Sequence, residues 1–502
     1  MKDNYYVSSL FWSTLSRILN AILGFITVPL LLGYYGKAEY GLLSIATACN
    51  GYMHLLDLGM NTGAVKFYSQ WKAEGDIAKV FRVARSNITF YIIIAVINVL
   101  LLLGVAFLGE GLFSVTHPQF LQIKTCLLII ALFSVISWVT TVFNQLLIAD
   151  KQMGFTMQVQ CVQALLKAVL VVCVIYAKIE LTTYFFFLTA LVAVAFVPYA
   201  IKCQKDGLID SYQPAWYWND FKVVITFSLS IFALSLFQVT ATQSRPILLS
   251  MFAQNGANAV AEYRIIEVVP QLIIMIGGTF SGIFLPKTSE MVARKDEKAM
   301  HEFAYKWTTY TTSVVAFMCF PFILCAKEVL AAYVGSEYSN LSPWLIIWCV
   351  TVLFQMHTTP GNALVLAYGK TKLLVKVTAA GCLLSMGINI ILCKYFDVGS
   401  AILAYFIYVC IIIGLYYVSF YQKLLNLSRK KMMRCFIIPT VIATSIFIIA
   451  SLLPISVDMF TGMNERVAYV LVCVVKTLVW GIPYIAILHF CKSKPPIQRK
   501  VG

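Results

Sequence analysis

The chain of 502 residues is 60% hydrophobic and only 12% charged, with a formal net charge of +16 and a mean hydropathy of +0.82. A soluble globular domain carries about a quarter charged residues, so this composition excludes that class. Nucleic acid is excluded as a partner too, because the Lys and Arg are spread over short connections and no basic domain exists to hold it.

Apolar runs of about 20 residues recur from end to end, each able to cross a hydrocarbon core of roughly 30 Å as a helix. In chain order the expected spans are 8–32, 40–63, 86–108, 119–148, 155–177, 181–201, 223–252, 260–284, 308–326, 343–367, 373–393, 399–421, 433–453 and 467–490. The expected fold class is therefore all-α and integral to a membrane, with about 14 transmembrane helices. The first span begins near Ser8, is too long for a signal-peptide core and lacks a small-residue cleavage site, so it is expected to persist.

With the N-terminus in the cytoplasm, 27 Lys and Arg fall in cytoplasmic segments and five in outer loops. A bias of that size is the positive-inside signature, and one missed span would scramble it. Both termini are thus expected in the cytoplasm. Most of the net charge then reports topology and attraction to anionic inner-leaflet lipid. The 14 Cys are scattered, as at Cys161, Cys173, Cys349 and Cys410, with neither metal spacing nor a disulfide framework, and read as small apolar residues.

The chain resembles itself at a period of about 220 residues. Lys66-Phe67-Tyr68-Ser69 leads into Lys72-Ala73-Glu74-Gly75-Asp76, as Lys287-Thr288-Ser289-Glu290 leads into Arg294-Lys295-Asp296-Glu297. Leu147 to Gln152 matches Leu364 to Lys370, and Ala38-Glu39-Tyr40 matches Ala261-Glu262-Tyr263. A unit of six spans is implied twice. An even number keeps the copies in one orientation, related by an axis along the membrane normal. The expected divisions are an N-lobe at 1–205, a C-lobe at 206–425, and 426–502 holding the last two spans and a cytoplasmic tail. The basic connectors 66–85 and 287–306 are expected as short amphipathic helices on the inner surface.

Six Lys and Arg remain inside spans: Arg17, Lys124, Lys167, Arg245, Arg264 and Lys476. Each costs on the order of 2.5–3.5 kcal/mol if it faces lipid at mid-depth, so each must face protein, a partner or a wet cavity. Lys124 is near a span end and can snorkel. Arg264 has Glu262 and Glu267 beside it on the same helix. Arg17 and Arg245 lie deeper, and Pro246 removes a backbone donor beside the latter. They are candidates to line a cavity and contact substrate, with a structural pair to Asp57 as the alternative. Lys167 is a further candidate. Embedded acids are fewer (Asp57, Glu262 and Glu267), so the interior is expected to be cationic and to suit a phosphate or diphosphate group.

Spans arranged as six plus six plus two, Ser16-Arg17-Ile18-Leu19, Val28-Pro29-Leu30-Leu31-Leu32, Tyr34-Tyr35-Gly36-Lys37-Ala38-Glu39-Tyr40-Gly41 and Leu55-Leu56-Asp57-Leu58-Gly59 carry a resemblance. The chain resembles the polysaccharide-transport (Wzx-type O-antigen) flippases of the multidrug/oligosaccharidyl-lipid/polysaccharide (MOP) exporter superfamily. That resemblance implies movement of undecaprenyl-diphosphate-linked oligosaccharide from the inner to the outer leaflet of the bacterial inner membrane, by alternating access. From the embedded charges the expected substrate-binding residues are Arg17, Arg245, Lys167, Arg264 and Asp57; the resemblance matches Arg17 among them, and it implies the bilayer lipids and a polysaccharide polymerase with its chain-length machinery as partners. No cofactor is expected; proton, sodium or membrane-potential coupling would drive turnover. No GxxxxGK[ST] occurs, since Gly369-Lys370-Thr371 lacks the upstream glycine.

Other readings stay open. A polymerase or ligase acting on the same lipid-linked sugars would carry catalytic groups on a large outer loop, but the longest outer loop expected is about 17 residues, near 327–342. His54, His117, His301, His357 and His489 are scattered, and neither HExxH nor GxSxG occurs, so no enzyme is expected. A drug or metabolite antiporter would make Asp57, Glu262 or Glu267 essential and Arg17 dispensable. A lipid II flippase would rescue cells lacking peptidoglycan lipid transport.

Overall fold

The structure, a computed structural model, describes residues 2–369, 372–460 and 462–493. Side chains are described within these except at 2–10, 230, 231, 233–235, 238, 278–283, 285, 286, 289, 290, 293 and 490–493. The expectations placed on Lys370, Thr371, Lys494, Arg499 and Lys500, and on the side chains of Lys2, Ser289, Glu290 and Lys492, lie outside the described residues.

The described chain is helical, in two compact units, residues 1–261 and 262–502. The first unit contains α1 (Lys2–Met53), α2 (Met60–Glu74), α3 (Ile77–Leu108), α4 (His117–Ala149), α5 (Met153–Ala177), α6 (Leu181–Ala193), α7 (Phe196–Lys205) and α8 (Trp218–Phe252). The boundary falls in α9 (Gly256–Ala293). The second unit continues with α10 (Glu297–Leu324), α11 (Ala326–Tyr333), α12 (Ser342–His357), α13 (Thr359–Ala367), α14 (Lys372–Phe396), α15 (Val398–Leu415) with a π-helical extension over Tyr416–Leu424, α16 (Arg429–Ser451) and α17 (Glu465–Ser493).

Each expected span falls on helix. Among the described residues, eleven helical stretches are long and apolar enough to cross a membrane. One of them, Phe11–Asp57, contains two expected spans, separated at Gly36 where φ 80° and ψ 169° leave the helical region at no steric cost. The expected seventh and eighth spans are α8 and α9. Outward-facing apolar side chains are exposed along these helices, among them Leu100, Leu132 and Val172 in the first unit and Leu383, Ile391 and Ile482 in the second. A hydrocarbon solvent removes the cost of exposing them.

Three details differ from the expectation. The second span does not run straight through 40–63: α1 ends at Met53, a 3-10 turn covers His54–Asp57, Leu58 and Gly59 are left-handed (φ 51° and 73°), and α2 restarts at Met60. Broken backbone inside a span is tolerated where protein buries it or where it lines a wet cavity. The connector at 66–85 is not a separate surface helix. It is the end of α2 and the start of α3, joined at Gly75, because Tyr68 and Trp71 are buried and hold that part of α2 in the core. Residues 326–341 are ordered helix rather than an open outer loop, with Ala326, Leu330 and Tyr338 buried.

The repeat is visible in the backbone. Left-handed residues pair as Gly75 with Lys295, Lys151 with Gly369, Lys178 with Asp397 and Gly207 with Asn426, at separations of 218–220 residues. Asp76 caps α3 by accepting from the Lys79 amide at 3.0 Å, and Asp296 caps α10 by accepting from the Ala299 amide at 2.9 Å.

Within the first unit α8 packs along α1, α2 and α3. The approach to α2 is close because two glycines permit it. A Cβ on Gly59 would lie 2.6 Å from the Ser228 carbonyl oxygen, and one on Gly63 would lie 2.0 Å from Ser228 Oγ. Small residues four apart are a common way for membrane helices to bring backbones together.

Candidate functional site

The first unit turns polar faces inward. Thr47, Asn50 and His54 recur at helical spacing along α1 and the turn after it. Ser134, Ser137, Trp138, Thr141 and Asn144 form such a face on α4, and Gln160, Gln163 and Lys167 on α5. Residues three, four and seven apart share one side of a helix. With Asn98 of α3 and Phe185, Leu188, Thr189 and Val192 of α6, these faces enclose a cavity of about 390 Å³.

Its polar atoms are only partly satisfied by the protein. Gln163 donates to the carbonyls of Leu191 and Val192 at 3.1 and 3.2 Å, meeting acceptors near the break between α6 and α7. Asn98 Nδ2 donates to Ser134 Oγ at 3.1 Å. The buried Oδ1 atoms of Asn98 and Asn144 have no hydrogen-bond partner among the described residues. Lys167 is half-buried in the wall and forms no ion pair among the described residues.

A second polar feature adjoins this cavity. Tyr91 donates to Asp57 Oδ1 at 2.5 Å, and the Asn61 amide donates to Asp57 Oδ2 at 3.1 Å. Gln145 Nε2 donates to Tyr91 at 2.8 Å; Asn87 Nδ2 donates to Gln145 Oε1 at 2.7 Å and to the Tyr68 hydroxyl at 3.1 Å. Tyr68, Asn87, Tyr91 and Gln145 are all buried. Trp138 joins the two features, packing on Tyr91 and His54 with ring centroids 5.8 and 5.5 Å away while lining the cavity.

The other charged candidates divide. Arg17 is exposed on α1, beside the exposed Ile18 and Ile22. Arg245 is only 4% exposed on α8, and its Nε donates to the Ala241 carbonyl at 2.9 Å. Asp57 accepts from Tyr91 and from the Asn61 amide. Arg264, in the second unit, pairs with Glu267 at 2.6 Å. Lys476 pairs with Glu328 of α11 at 2.5 Å, a partner concealed while 327–342 read as a loop. Lys124 lies over the Phe107 ring, 4.2 Å from its centroid.

At the cytoplasmic end expected for the first unit, Lys72 pairs with Asp150, and Gln152 donates to both Asp150 and Asp206 at 2.7 and 2.6 Å. Lys202 reaches Asp206 at 3.0 Å. The Gln152 hydrogen bond foremost, then Lys202, hold the Asp206 carboxyl below its ordinary range. Arg82 pairs with Asp220 at 2.8 Å, fixing α3 to the start of α8.

Asn50, Asn98, Asn144, Gln160 and Gln163 are neutral and individually unremarked, and only their recurrence on facing helices marks them. Counting amides by helical face within 47–167 would have found them.

Among solved structures the chain is similar to "Lipid II flippase MurJ, inward closed conformation", with 13% identity and a TM-score of 0.68 over 97% of this chain and 100% of that one. It is also similar to an inward-facing "multidrug resistance MATE family transporter of the MOP superfamily", with 14% identity and a TM-score of 0.61 over 84% of this chain and 94% of that one. The fold is thus the one seen in MOP-superfamily transporters, as the sequence led us to expect. No curated protein sequence matches the chain. Residues 6–292, more than half of the length, match the family described as "Polysaccharide biosynthesis protein". The chain is a multi-pass membrane protein that belongs to the polysaccharide biosynthesis protein family.

Proposed function

We propose that the protein is a flippase that carries a lipid-diphosphate-linked oligosaccharide, an undecaprenyl-linked repeat unit of a surface polysaccharide, across the bacterial inner membrane. The observation that supports this best is the polar interior of the first unit: an amide-lined cavity with one lysine, inside a shell of helices whose outer faces are apolar. Such an interior offers a hydrophilic glycan a place out of lipid, and membership of a polysaccharide biosynthesis family supports a glycan-bearing substrate. Arg17, exposed on α1, is the residue proposed to meet the diphosphate. Both termini lie in the cytoplasm in this reading. Turnover is alternating access driven by protons, sodium or the membrane potential, with Asp57 as the embedded carboxylate best placed to sense the ion. A polymerase with its chain-length machinery takes the product.

The test is complementation of a strain lacking its own O-unit flippase, with expression checked. Wild type restores surface polysaccharide, Arg17→Ala loses it, and Arg17→Lys keeps part. Failure of wild type in every O-unit strain, together with rescue of cells lacking lipid II transport, would replace this reading by a lipid II flippase.

A further inference from the structure

We infer that Cys325 and Cys473 form a disulfide on the outer side of the membrane, a covalent modification that ties the junction of α10 and α11 to α17. The inference goes beyond transport. It rests on the proposed function only for its topology, which puts residues 327–342 and the start of α17 outside.

Helix register brings the two thiols together. Cys325 is the residue between α10 and α11, and its Sγ donates to the Cys473 carbonyl of α17 at 4.0 Å. The two thiols also share a side-chain hydrogen bond. Lys476 Nζ meets Glu328 Oε1 at 2.5 Å. Both pairs are 148 residues apart in the chain, so each charge lies three residues beyond its cysteine. That spacing puts thiol and charge on one side of each helix, and the ion pair holds the register at which the sulfurs meet. Bonding requires the sulfurs to close to about 2 Å, which side-chain rotation supplies where the helices are already packed.

Access differs between the two. Cys325 is buried and Cys473 is half-buried, so Cys473 is the entry thiol. Its thiolate attacks an external disulfide, that of a periplasmic protein oxidant or of oxidised glutathione, and releases one external thiol. The Cys325 thiolate then attacks the Cys473 sulfur and expels the second. The chain loses two electrons and two protons, and the external disulfide takes them up as two thiols. Such bonds persist in the periplasm, whereas cytoplasmic thiols are kept reduced. Cys319 and Cys349 are also neighbours, but both are fully buried and offer no entry. The bond anchors the last expected span, which lies outside the six-span repeat, to that repeat at its outer end.

The test uses the full chain in a bacterial inner membrane. Free thiols are blocked with N-ethylmaleimide under denaturing conditions, and a non-reducing digest is read by mass spectrometry. The expected result is a Cys325 peptide joined to a Cys473 peptide, with Cys319 and Cys349 carrying maleimide. The order of attack is read on reduced protein in nanodiscs given oxidised glutathione. Cys325→Ser is expected to hold a glutathione adduct on Cys473, and Cys473→Ser to hold none on Cys325. Maleimide on both Cys325 and Cys473 of wild type from native membranes would overturn the disulfide, and an adduct on Cys325 would overturn the assigned entry. Topology is read separately with Asp458→Cys, at an exposed site before α17, which should react with an impermeant maleimide in intact spheroplasts beyond the labelling of wild type. Labelling there with both native thiols reduced refutes the disulfide and leaves the topology standing; no added labelling refutes the topology and the inference with it. Joined peptides in a protein that restores no surface polysaccharide refute the flippase and leave the disulfide standing.

Discussion

Tyr91 reaches from the middle of α3 to Asp57, in the broken turn between α1 and α2, and donates a hydrogen bond across 2.5 Å. The same hydroxyl accepts from Gln145 at 2.8 Å, so one phenol ties the carboxylate of the break to α4. The break is where the chain abandons regular helix inside a span, and this bond ties it to α3.

Removing that hydroxyl should therefore be felt twice. Tyr91→Phe leaves the Gln145 amide and one Asp57 oxygen short of a partner, at a cost of about 1–3 kcal/mol. The expected result is a lowered unfolding midpoint in nanodiscs, with transport falling further than stability. A Tyr91→Phe protein as stable as wild type would show that the network does not hold the break.

The contact between α2 and α8 gives a sharper steric test. Gly59 combines φ 73° with a backbone oxygen 2.6 Å from a prospective Cβ. Gly59→Ala is expected to cost more than the roughly 1–2 kcal/mol of left-handed strain alone, since the Ser228 carbonyl must also move. Gly104→Ala, in open space on α3, is the control and should be neutral or stabilising by up to about 1 kcal/mol. Purified yield and thermal midpoint read both.

Lys476 and Glu328 form a pair whose side chains are 15% and 19% exposed. Replacing either alone strands a charge, and Lys476→Met or Glu328→Gln is expected to destabilise the second unit by about 3 kcal/mol, at the low end for buried pairs because some solvent remains. The double replacement should recover most of that loss. Additive effects in the cycle would mean that the two groups do not couple.

How much of this was legible beforehand follows from residue type. Spans are written in apolar runs and the repeat in short matching motifs, and the repeat survives in the backbone at Gly75 and Lys295 and at Lys151 and Gly369. The break at His54–Gly59 was not legible, because Leu55, Leu56 and Leu58 continue the apolar run while the φ values change beneath it. Lys167 stood out as a charge, but its companions are amides and hydroxyls that lipid-embedded helices also use for packing. Only the meeting of α1, α3, α4, α5 and α6 separates the two uses. Glu328 was hidden for another reason: its helix is too short and too polar to register as a span.

Acid should act on the cluster at the cytoplasmic end expected for the first unit. Because Asp206 is held below its ordinary value of 3.8, its contribution is present above that pH and is lost only as pH falls through the lower folded value. The difference in unfolding midpoint between wild type and Asp206→Asn should be constant above about pH 5 and shrink toward zero at more acid pH. A difference that grows on acidification would contradict the direction of that shift.

The most direct measurement is transbilayer movement itself. Protein reconstituted into sealed liposomes with a lipid-diphosphate-linked oligosaccharide is probed with a membrane-impermeant glycosidase, which reaches only the outer leaflet. Wild type should expose nearly all of the substrate when an ion gradient is imposed. Arg17→Ala should leave about half protected, as protein-free vesicles do, and Arg17→Lys should fall between. Protection in wild-type vesicles equal to that of protein-free ones, with the gradient intact, would contradict the flippase.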